Sequence, residues 1–360
     1  MRPTLCEINL DAISANVATL RAHVSPTPLC AVVKADGYGH GAVPVARAAL
    51  EGGAEWLAVA LVEEGIELRQ GGIGAPILVL SEPLIAALPL VVDYRLTPTV
   101  YRLGTIEALG EVAASRGPVA VHIGVDSGMR RVGVKLDELA NLAAAANEHD
   151  ALRLEAIWTH LPVADEPDNP FTADQLKSFD AAVANAAPTH VANSAAAITR
   201  PDADAFMVRC GISIYGIEPA PEVAGQIELV PAMTLRSQVS FVKAIEAGQG
   251  VGYGHRFHAA TDTTIATVPI GYADGVRRDF GLRGGSVLIG GTPYPVVGVV
   301  TMDQLMVDVG SADISVGDDV VLLGRQGNSE QSAESIAAVL DTIPYEVVCA
   351  VSKRVPRVYS

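Results

Sequence analysis

Residues 29–50 read LCAVVKADGYGHGAVPVARAAL and contain one complete unit of strand, loop and helix. The apolar run at 29–33 predicts a strand covered on both faces, and AVPVARAAL at 42–50 predicts a helix. Eight parallel strands alternating with helices close a barrel, so we predict an α/β fold with an N-terminal (β/α)8 TIM-type barrel over residues 1–230. Seven further apolar runs supply the other strands: WLAVAL (56–61), PILVLSE (76–82), PLVVDYR (89–95), VAVHIGVD (119–126), RLEAIWTHL (153–161), HVANS (190–194) and FMVRCGISIYG (206–216).

The sequence after Pro231 changes to short alternating apolar runs separated by Gly and Pro, which is typical of antiparallel β-structure. We therefore predict a C-terminal all-β domain over residues 231–360. It includes one helix, SAESIAAVLDTI at 332–343, and a final strand, VVCAVSKRVPRVYS at 347–360. The first strand of the chain, at about residues 3–10, alternates apolar and polar residues, and we expect it to pair with this β domain.

Composition excludes several classes of function. A formal net charge of −16 disfavours nucleic acid as a partner, and no apolar stretch is long enough to span a membrane. The N-terminus lacks the apolar core of a signal peptide, so we expect a cytoplasmic protein. No two of the four cysteines have the spacing of metal ligands, and we expect no metal site. These cysteines are Cys6, Cys30, Cys210 and Cys349.

Lys34 lies where the first barrel strand ends, and barrels of this type carry their chemistry at the C-terminal ends of the strands. A partly desolvated lysine has a lowered pKa and can act as a nucleophile or base, although a lysine at a strand end more often extends its amine to solvent. Gly37, Gly39 and Gly41 would permit close approach of a ligand before the next helix. Four other polar residues lie at strand ends: Asp126, His160, Ser194 and Arg209.

The segment VVKADGYGHG at 32–41 resembles the pyridoxal 5'-phosphate (PLP) attachment segment of the bacterial alanine racemases. The resemblance extends over nearly the whole chain and both predicted domains. It implies a PLP-dependent enzyme, with the cofactor in the barrel, that interconverts L-alanine and D-alanine and supplies D-alanine for peptidoglycan. Seven similar segments follow in order: DSGMRRVG (126–133), WTHLPVADEPD (158–168), ANSAA (192–196), MVRCGISIYGIEP (207–219), VGYGHRF (251–257), IGYADGVRR (270–278) and TMDQLMVDV (301–309).

The resemblance implies two catalytic bases, Lys34, which would also hold PLP covalently, and Tyr253. Racemisation removes a proton from one face of Cα and returns it to the other, which suits two bases on opposite sides. The pKa values of both groups must be lowered, and His160 and Arg209 are implied neighbours, with His160 hydrogen-bonded between Tyr253 and Arg209. Arg209 would also face the pyridine nitrogen and, because it does not surrender its proton, keep the cofactor a weaker electron sink with fewer side reactions.

The remaining site residues come from the same resemblance. In this family Tyr253, Tyr272 and Met302 belong to the opposite subunit, so a homodimer with shared active sites is implied. The implied cofactor-binding residues are Lys34, Tyr38, Arg131, His160, Asn193, Ser194, Arg209 and the backbone of Gly211 and Ile212, with His190 in support. The implied substrate-binding residues are Arg131, Met302, Asp303 and the channel residue Tyr272.

The chain departs from the family pattern at three positions. Gly124 stands where many members have a carbamylated lysine that positions the following arginine, so Arg131 loses an expected anionic partner. Val299 replaces a common arginine, and Lys353 replaces a frequent tyrosine. These changes leave open a serine or broad-specificity amino-acid racemase.

Two more distant readings also stay open. A non-catalytic PLP-binding protein would lack a β domain carrying Tyr253. A related decarboxylase would need a catalytic cysteine and acidic residues near the C-terminus, and the apolar surroundings of Cys349 do not favour it.

Overall fold

The computed structural model describes residues 2–201 and 206–360. They fall into two compact units, which we call the barrel unit and the β unit. The barrel unit comprises Asp11–Gly37 and Ala42–Val230. The β unit comprises the chain through Leu10, the short segment Tyr38–Gly41, and Pro231–Ser360.

The barrel unit contains eight parallel strands that pair in sequence around a nearly closed barrel. The last strand pairs with the first, with Arg209 opposite Cys30, and the Arg209 amide donates to the Ala192 carbonyl next to the seventh strand. The predicted (β/α)8 barrel is therefore confirmed. Its strands are Leu29–Val32, Trp56–Val59, Ile77–Val79, Thr97–Val100, Val119–Asp126, Leu152–Trp158, Thr189–His190 and Val208–Cys210, and the short strand Val134–Lys135 pairs with the fifth.

Helices connect these strands, and their apolar faces pack on the barrel. Helix Leu103–Arg116, for example, buries Ile106, Leu109 and Ala113 at helical spacing in a hydrophobic core cluster of the barrel unit. The helices are Leu10–His23, Ala42–Glu51, Val62–Gln70, Leu88–Asp93, Leu103–Arg116, Leu139–Glu148, Phe171–Val183 and Ser194–Thr199, with 3-10 turns at Ile85–Ala87, Ile212–Tyr215 and Pro221–Val223.

The prediction of a strand at PLVVDYR, residues 89–95, is wrong. Leu88–Asp93 is a helix that buries Leu88 and Val91, and the fourth barrel strand is Thr97–Val100. The spacing of those two buried residues is that of one helix face. The true strand, TPTV, contains a proline, which usually argues against a strand in an inner position, although all four of its residues are buried.

The β unit is built from antiparallel strands, which confirms the predicted C-terminal sheet domain. Strand Leu5–Ile8 from the N-terminus lies in this sheet, antiparallel to Met233–Gln238 and parallel to Arg357–Tyr359. The other strands are Phe241–Ile245, Gly250–Val251, Phe257–His258, Thr263–Val268, Ser286–Ile289, Thr292–Val297, Leu305–Gly310, Asp319–Gln326 and Ser329–Gln331, with 3-10 turns at Tyr253–His255, Tyr272–Asp274 and Gly281–Arg283.

Two helices interrupt the β unit. Helix Ala333–Leu340 lies within the predicted helical segment, and the Ser332 side chain caps it by accepting from the Ser335 amide. The predicted strand at 347–360 is wrong for most of its length, because Pro344–Cys349 is a helix and only Arg357–Tyr359 is a strand. Pro344 occupies a first-turn position, where a fixed φ and a missing N–H favour the start of a helix.

No helix within residues 2–201 and 206–360 is long and apolar enough to cross a membrane.

Candidate active site

Lys34 begins an unusual turn at the C-terminal end of the first barrel strand. Left-handed backbone is unfavourable for residues with a Cβ, so a run of such residues persists only where its surroundings hold it. Two carboxylates do so here: Glu64 accepts from the Ala35 amide at 2.7 Å, and Asp36 accepts from the Ala42 amide at 2.9 Å. The half-buried Lys34 side chain therefore starts from a fixed backbone. The φ angles that follow it are +52° at Ala35, +55° at Asp36 and +60° at Gly37.

Hydrogen-bonding groups at the start of helix Ser194–Thr199 and of the 3-10 turn Ile212–Tyr215 lie close to the strand end at Lys34. Strand Val208–Cys210 is paired with the strand that precedes Lys34, so Gly211 follows the neighbouring strand. The Gly211 amide donates to the Ser194 hydroxyl at 2.8 Å, which joins the two helix starts. Helix starts present amides and hydroxyls suited to an anion such as a phosphate.

Asn193 and Ser213 complete this region. Asn193 caps its helix by accepting from the Ala196 amide, and it donates to the Leu161 carbonyl at 3.0 Å. The Ser213 hydroxyl, in the turn that begins after Gly211, is buried and has no hydrogen-bond partner among the described residues. A buried hydroxyl without a partner is unfavourable, and a bound polar group would satisfy it. The donor set therefore fits the phosphate of a cofactor such as PLP.

The Arg209 guanidinium is buried in the barrel and held on several sides. It is 4% exposed and donates to His190 Nδ1 at 2.6 Å and to the Thr159 carbonyl at 2.9 Å. Its Cζ lies 4.8 Å from the centre of the Trp158 ring, within cation–π range. A planar group with this many partners keeps one orientation.

His160 is neutral in this environment. Burial, and then the positive charges of Arg209, Arg131 and Lys34, lower the pKa of its imidazole to about 3. The ring therefore carries one N–H donor and one acceptor at neutral pH, as a relay residue requires. Arg209, Arg131 and Lys34 therefore act on the charge of the His160 ring. The hydrogen-bonded chain expected from Arg209 through His160 to Tyr253 stays a prediction.

Gly124 and Arg131 line the same small cavity, together with Trp158 and His160. A Cβ on Gly124 would lie 2.9 Å from Thr99 Cγ2 and 3.6 Å from the Trp158 ring, whose Nε1 donates to the Thr99 hydroxyl at 3.2 Å. The Thr99 side chain therefore occupies space that a side chain at position 124 would need, and the Trp158 ring borders it. Among the described residues, the exposed Arg131 guanidinium has no hydrogen bond or ion pair.

We expect Gly124→Lys to impair the protein instead of restoring a lost function. The new Cβ would displace the Thr99 side chain, and overpacking of this kind costs about 1–3 kcal/mol. Chemical denaturation and racemisation kinetics would measure both effects. Gly104→Lys is the control, because a Cβ on this exposed glycine meets nothing within 4 Å. Wild-type stability together with faster turnover in Gly124→Lys would contradict this account.

Tyr38 and the glycines after it belong to the β unit. Burial, then Tyr345 and Cys349, raise the pKa of the Tyr38 phenol, so the group stays a hydrogen-bond donor. A Cβ on Gly39 would lie 2.6 Å from the Val348 carbonyl oxygen. This glycine is therefore required by close packing on helix Pro344–Cys349. The sequence alone indicates only the close approach of a ligand.

Three implied partner-subunit residues lie on neighbouring segments of the β unit. Tyr253, Tyr272 and Met302 are 73%, 42% and 52% exposed. The Tyr272 amide donates to the Thr301 carbonyl, next to Met302. A Cβ on Gly252, beside Tyr253, would lie 2.9 Å from Met306 Cε. The turn that carries Tyr253 therefore packs on segment 301–309, which also carries Met302. Exposed large side chains gathered in this way are typical of an interaction surface.

Asp303, a predicted substrate-site residue, and Val299, a departure from the family pattern, both lie in the β unit. The Asp303 carboxylate forms an exposed ion pair with Arg354 at 2.8 Å. Val299, which replaces an arginine, is 2% exposed and packs in the interior. An arginine there would need a different local packing.

The site residues divide between the two units. Trp158, His122 and Glu155 were not predicted, although His122 and Glu155 are polar residues inside apolar strand segments, and that pattern could have pointed to them. Near the C-terminal ends of the barrel strands the structure brings together Lys34, Arg131, His160, Asn193, Ser194, Arg209, Gly211 and Ile212, while Tyr38, Tyr253, Tyr272, Met302 and Asp303 lie in the β unit.

Polar groups gathered at the C-terminal ends of the barrel strands define an enzyme of the (β/α)8-barrel class. Residues 8–219 match the alanine racemase N-terminal domain, and residues 232–359 match the alanine racemase C-terminal domain. The chain therefore belongs to the alanine racemase family, and the predictions of family, fold and enzyme class are confirmed.

Individual relatives agree with this membership. The alanine racemase of Symbiobacterium thermophilum is 46% identical over 370 residues, covering 100% of this chain and 97% of the relative. The crystal structure of alanine racemase from E. faecalis matches with a TM-score of 0.95 at 40% identity, covering 100% and 98% of the two chains. Histidine racemase from Leuconostoc mesenteroides subsp. sake matches with a TM-score of 0.91 at 27% identity, covering 100% and 98%. One fold thus carries racemases with different named substrates.

Proposed function

We propose that this protein is a PLP-dependent racemase that interconverts L-alanine and D-alanine. The observation that carries the proposal is the Lys34 amine at a barrel strand end, close enough to neutral His160 to act on its pKa together with Arg209 and Arg131. Positive neighbours favour the neutral, nucleophilic form of a lysine amine. When bound, PLP supplies the electron sink that lets the Cα–H bond of an amino acid break.

The residues of this chain fit such a cofactor. Lys34 would bind it covalently, and the Ser194 hydroxyl with the amides of Gly211 and Ile212 would hold its phosphate, because they lie at adjacent helix starts. Tyr38 would donate its phenol to the same phosphate. The fixed Arg209 guanidinium would face the ring nitrogen. Since arginine keeps its proton, that nitrogen would stay unprotonated and proton return to Cα would be favoured over side reactions.

Proton transfer would involve Lys34 on one face of Cα and Tyr253 on the other. A general base must lie within hydrogen-bonding distance of the proton it takes, in a site from which water is excluded. Tyr253 is 73% exposed in the single chain, as are large parts of Tyr272 and Met302. We propose that a second copy of this chain covers these side chains, giving a homodimer with shared active sites.

Arg131 would bind the substrate carboxylate, helped by the Met302 amide, with Asp303 and Tyr272 at the entrance. Arg131 has no ion-pair partner within the described part of the chain, so its charge is available for this purpose. The same freedom supports the alternative, a serine or broad-specificity racemase, because an arginine without a fixed partner can shift for a larger substrate. The structural likeness to a histidine racemase also supports it.

The test is incubation of the purified protein, loaded with PLP, separately with L-alanine, L-serine, L-lysine, L-arginine and L-histidine, followed by chiral chromatography. We expect rapid formation of D-alanine and little of the other D-amino acids. Comparable rates on several substrates would favour the broad-specificity enzyme. No product despite bound PLP would leave a cofactor-binding protein.

We also propose that the D-alanine serves peptidoglycan synthesis in the cytoplasm. Expression of the chain in a bacterium that requires D-alanine tests this role directly. Growth without added D-alanine is the expected result, and the Lys34→Ala variant is the matched control.

A further inference from the structure

A chain of buried polar side chains runs through the interior of the barrel below Arg209. His190 Nδ1 lies 2.6 Å from Arg209 Nη1, and His190 Nε2 lies 2.9 Å from His122 Nδ1. His122 Nε2 lies 3.3 Å from Glu155 Oε2. Both imidazoles are fully buried. We call these four residues the core polar chain.

The chemistry of the two ends fixes the position of every proton in the core polar chain. A guanidinium can only donate, so His190 Nδ1 must be the unprotonated acceptor. Neutral His190 then carries its proton on Nε2 and donates it to His122 Nδ1. His122 in turn carries its proton on Nε2 and donates it to the Glu155 carboxylate. All three hydrogen bonds therefore point from Arg209 towards Glu155.

The ionisation states agree with this order. Burial, then the charge of Arg209, keeps the pKa of His190 well below its ordinary value, and burial likewise lowers the pKa of His122. Burial acts to raise the pKa of Glu155, but hydrogen bonds from His122 and Arg153 bring it below its ordinary value. The two imidazoles are thus neutral, and the carboxylate is charged.

Glu155 marks the far end of the barrel from Lys34. It is the middle residue of strand Leu152–Trp158 and borders a cavity of about 740 Å³ whose lining includes Arg153 and the first residues of two neighbouring strands, Trp56 and Thr97. Arg153 donates to the outer oxygen of Glu155 at 2.7 Å. The core polar chain therefore connects the site at the C-terminal ends of the strands with the opposite face.

Aromatic rings hold the imidazoles in place. Trp158 stacks on His190, with ring centres 5.9 Å apart and planes 13° apart. Trp56 and Phe206 lie 5.6 Å and 5.5 Å from the His122 ring. These contacts oppose ring flips, so the hydrogen-bond order is preserved by packing as well as by charge.

We propose that Glu155 is a positioning residue for Arg209, acting through His122 and His190. The opposite tautomers would place an N–H of His190 against the Arg209 donor and a lone pair of His122 against the carboxylate. The Glu155 carboxylate accepts only from a protonated His122 Nε2, so it excludes the opposite tautomers. In this way Glu155 keeps His190 Nδ1 an acceptor for Arg209. The proposal rests on the proposed function only for the statement that Arg209 contacts the cofactor.

The test uses the PLP-loaded protein with 15N-labelled histidine, of which the chain has eight residues. In the wild type we expect the NMR signals of His190 and His122 to show a proton on Nε2 and none on Nδ1. Glu155→Leu removes the acceptor, and we expect the His190 Nδ1 signal to move and kcat to fall by about 3- to 30-fold at little changed KM. Glu155→Gln keeps a neutral acceptor and should give intermediate values of both.

The matched control is Arg153→Leu, which removes the outer partner of Glu155 and leaves the core polar chain intact. A proton on His190 Nδ1 in the wild type would overturn the proposal. So would an unchanged His190 signal in Glu155→Leu, or in Glu155→Gln should the leucine variant not fold. The NMR result does not depend on turnover, so failure of the racemase proposal would be seen separately in the wild-type kinetics.

Discussion

Lys34→Ala is expected to lower racemisation in both directions by at least about 10³-fold and to remove the absorbance of lysine-bound PLP. The loss should be this large because one side chain supplies both the covalent attachment and a catalytic base. The carboxylates of Glu64 and Asp36 hold the left-handed turn through backbone amides, so the substitution leaves the turn itself in place. Chiral chromatography and the absorption spectrum measure the two effects.

Lys135→Ala is the matched control for this prediction. Lys135 is also a barrel-unit lysine at a short strand, but its side chain is 75% exposed and forms an exposed ion pair with Glu138 at 3.4 Å. Its replacement should change neither the spectrum nor the rate. Retention of most of the turnover in Lys34→Ala, with PLP bound, would show that another residue performs the chemistry.

Tyr253→Phe is expected to lower racemisation by about 10²- to 10⁴-fold, the usual contribution of a general acid or base. The loss should be selective, because Lys34 can still exchange the α-proton on its own face. In heavy water one enantiomer of alanine should gain deuterium without inversion. Tyr294→Phe, in strand Thr292–Val297 of the same unit, is the control and should behave as the wild type. Equal loss of exchange from both enantiomers would contradict the two-base assignment.

Mixing the two variants tests whether Tyr253 acts on the partner subunit. A mixed dimer of Lys34→Ala and Tyr253→Phe has one intact site if the two bases come from different chains. Random reassociation would then restore about a quarter of the wild-type rate. If both bases came from one chain, no site would be intact and no activity would return.

The sequence was sufficient for the barrel because its strands are short apolar runs between amphipathic helices. It failed at Thr97–Val100, where a proline and two threonines form a buried strand, and at Pro344–Cys349, where an apolar run is helical. In both places burial by neighbouring elements decided the outcome, and local pattern does not record such burial.

The site was predictable as far as residue types at strand ends determine it. Lys34 and Arg209 follow from that rule together with the family resemblance. The hydrogen-bonded order of the core polar chain does not, because His122, Glu155 and His190 come from three strands that meet only inside the closed barrel. The packing of Thr99 and Trp158 against Gly124 likewise exists only in three dimensions.

The filled space beside Gly124 has a consequence for the conditions under which the protein works. A carbamylated lysine forms reversibly from an amine and dissolved carbon dioxide, so a site that depends on one responds to bicarbonate and to degassing. In this chain Gly124 has no amine that could be carbamylated, and the Thr99 side chain lies against the Cα of Gly124. The position of the Arg131 side chain therefore does not depend on dissolved carbon dioxide. We expect the enzyme to turn over equally well in buffer stripped of carbon dioxide.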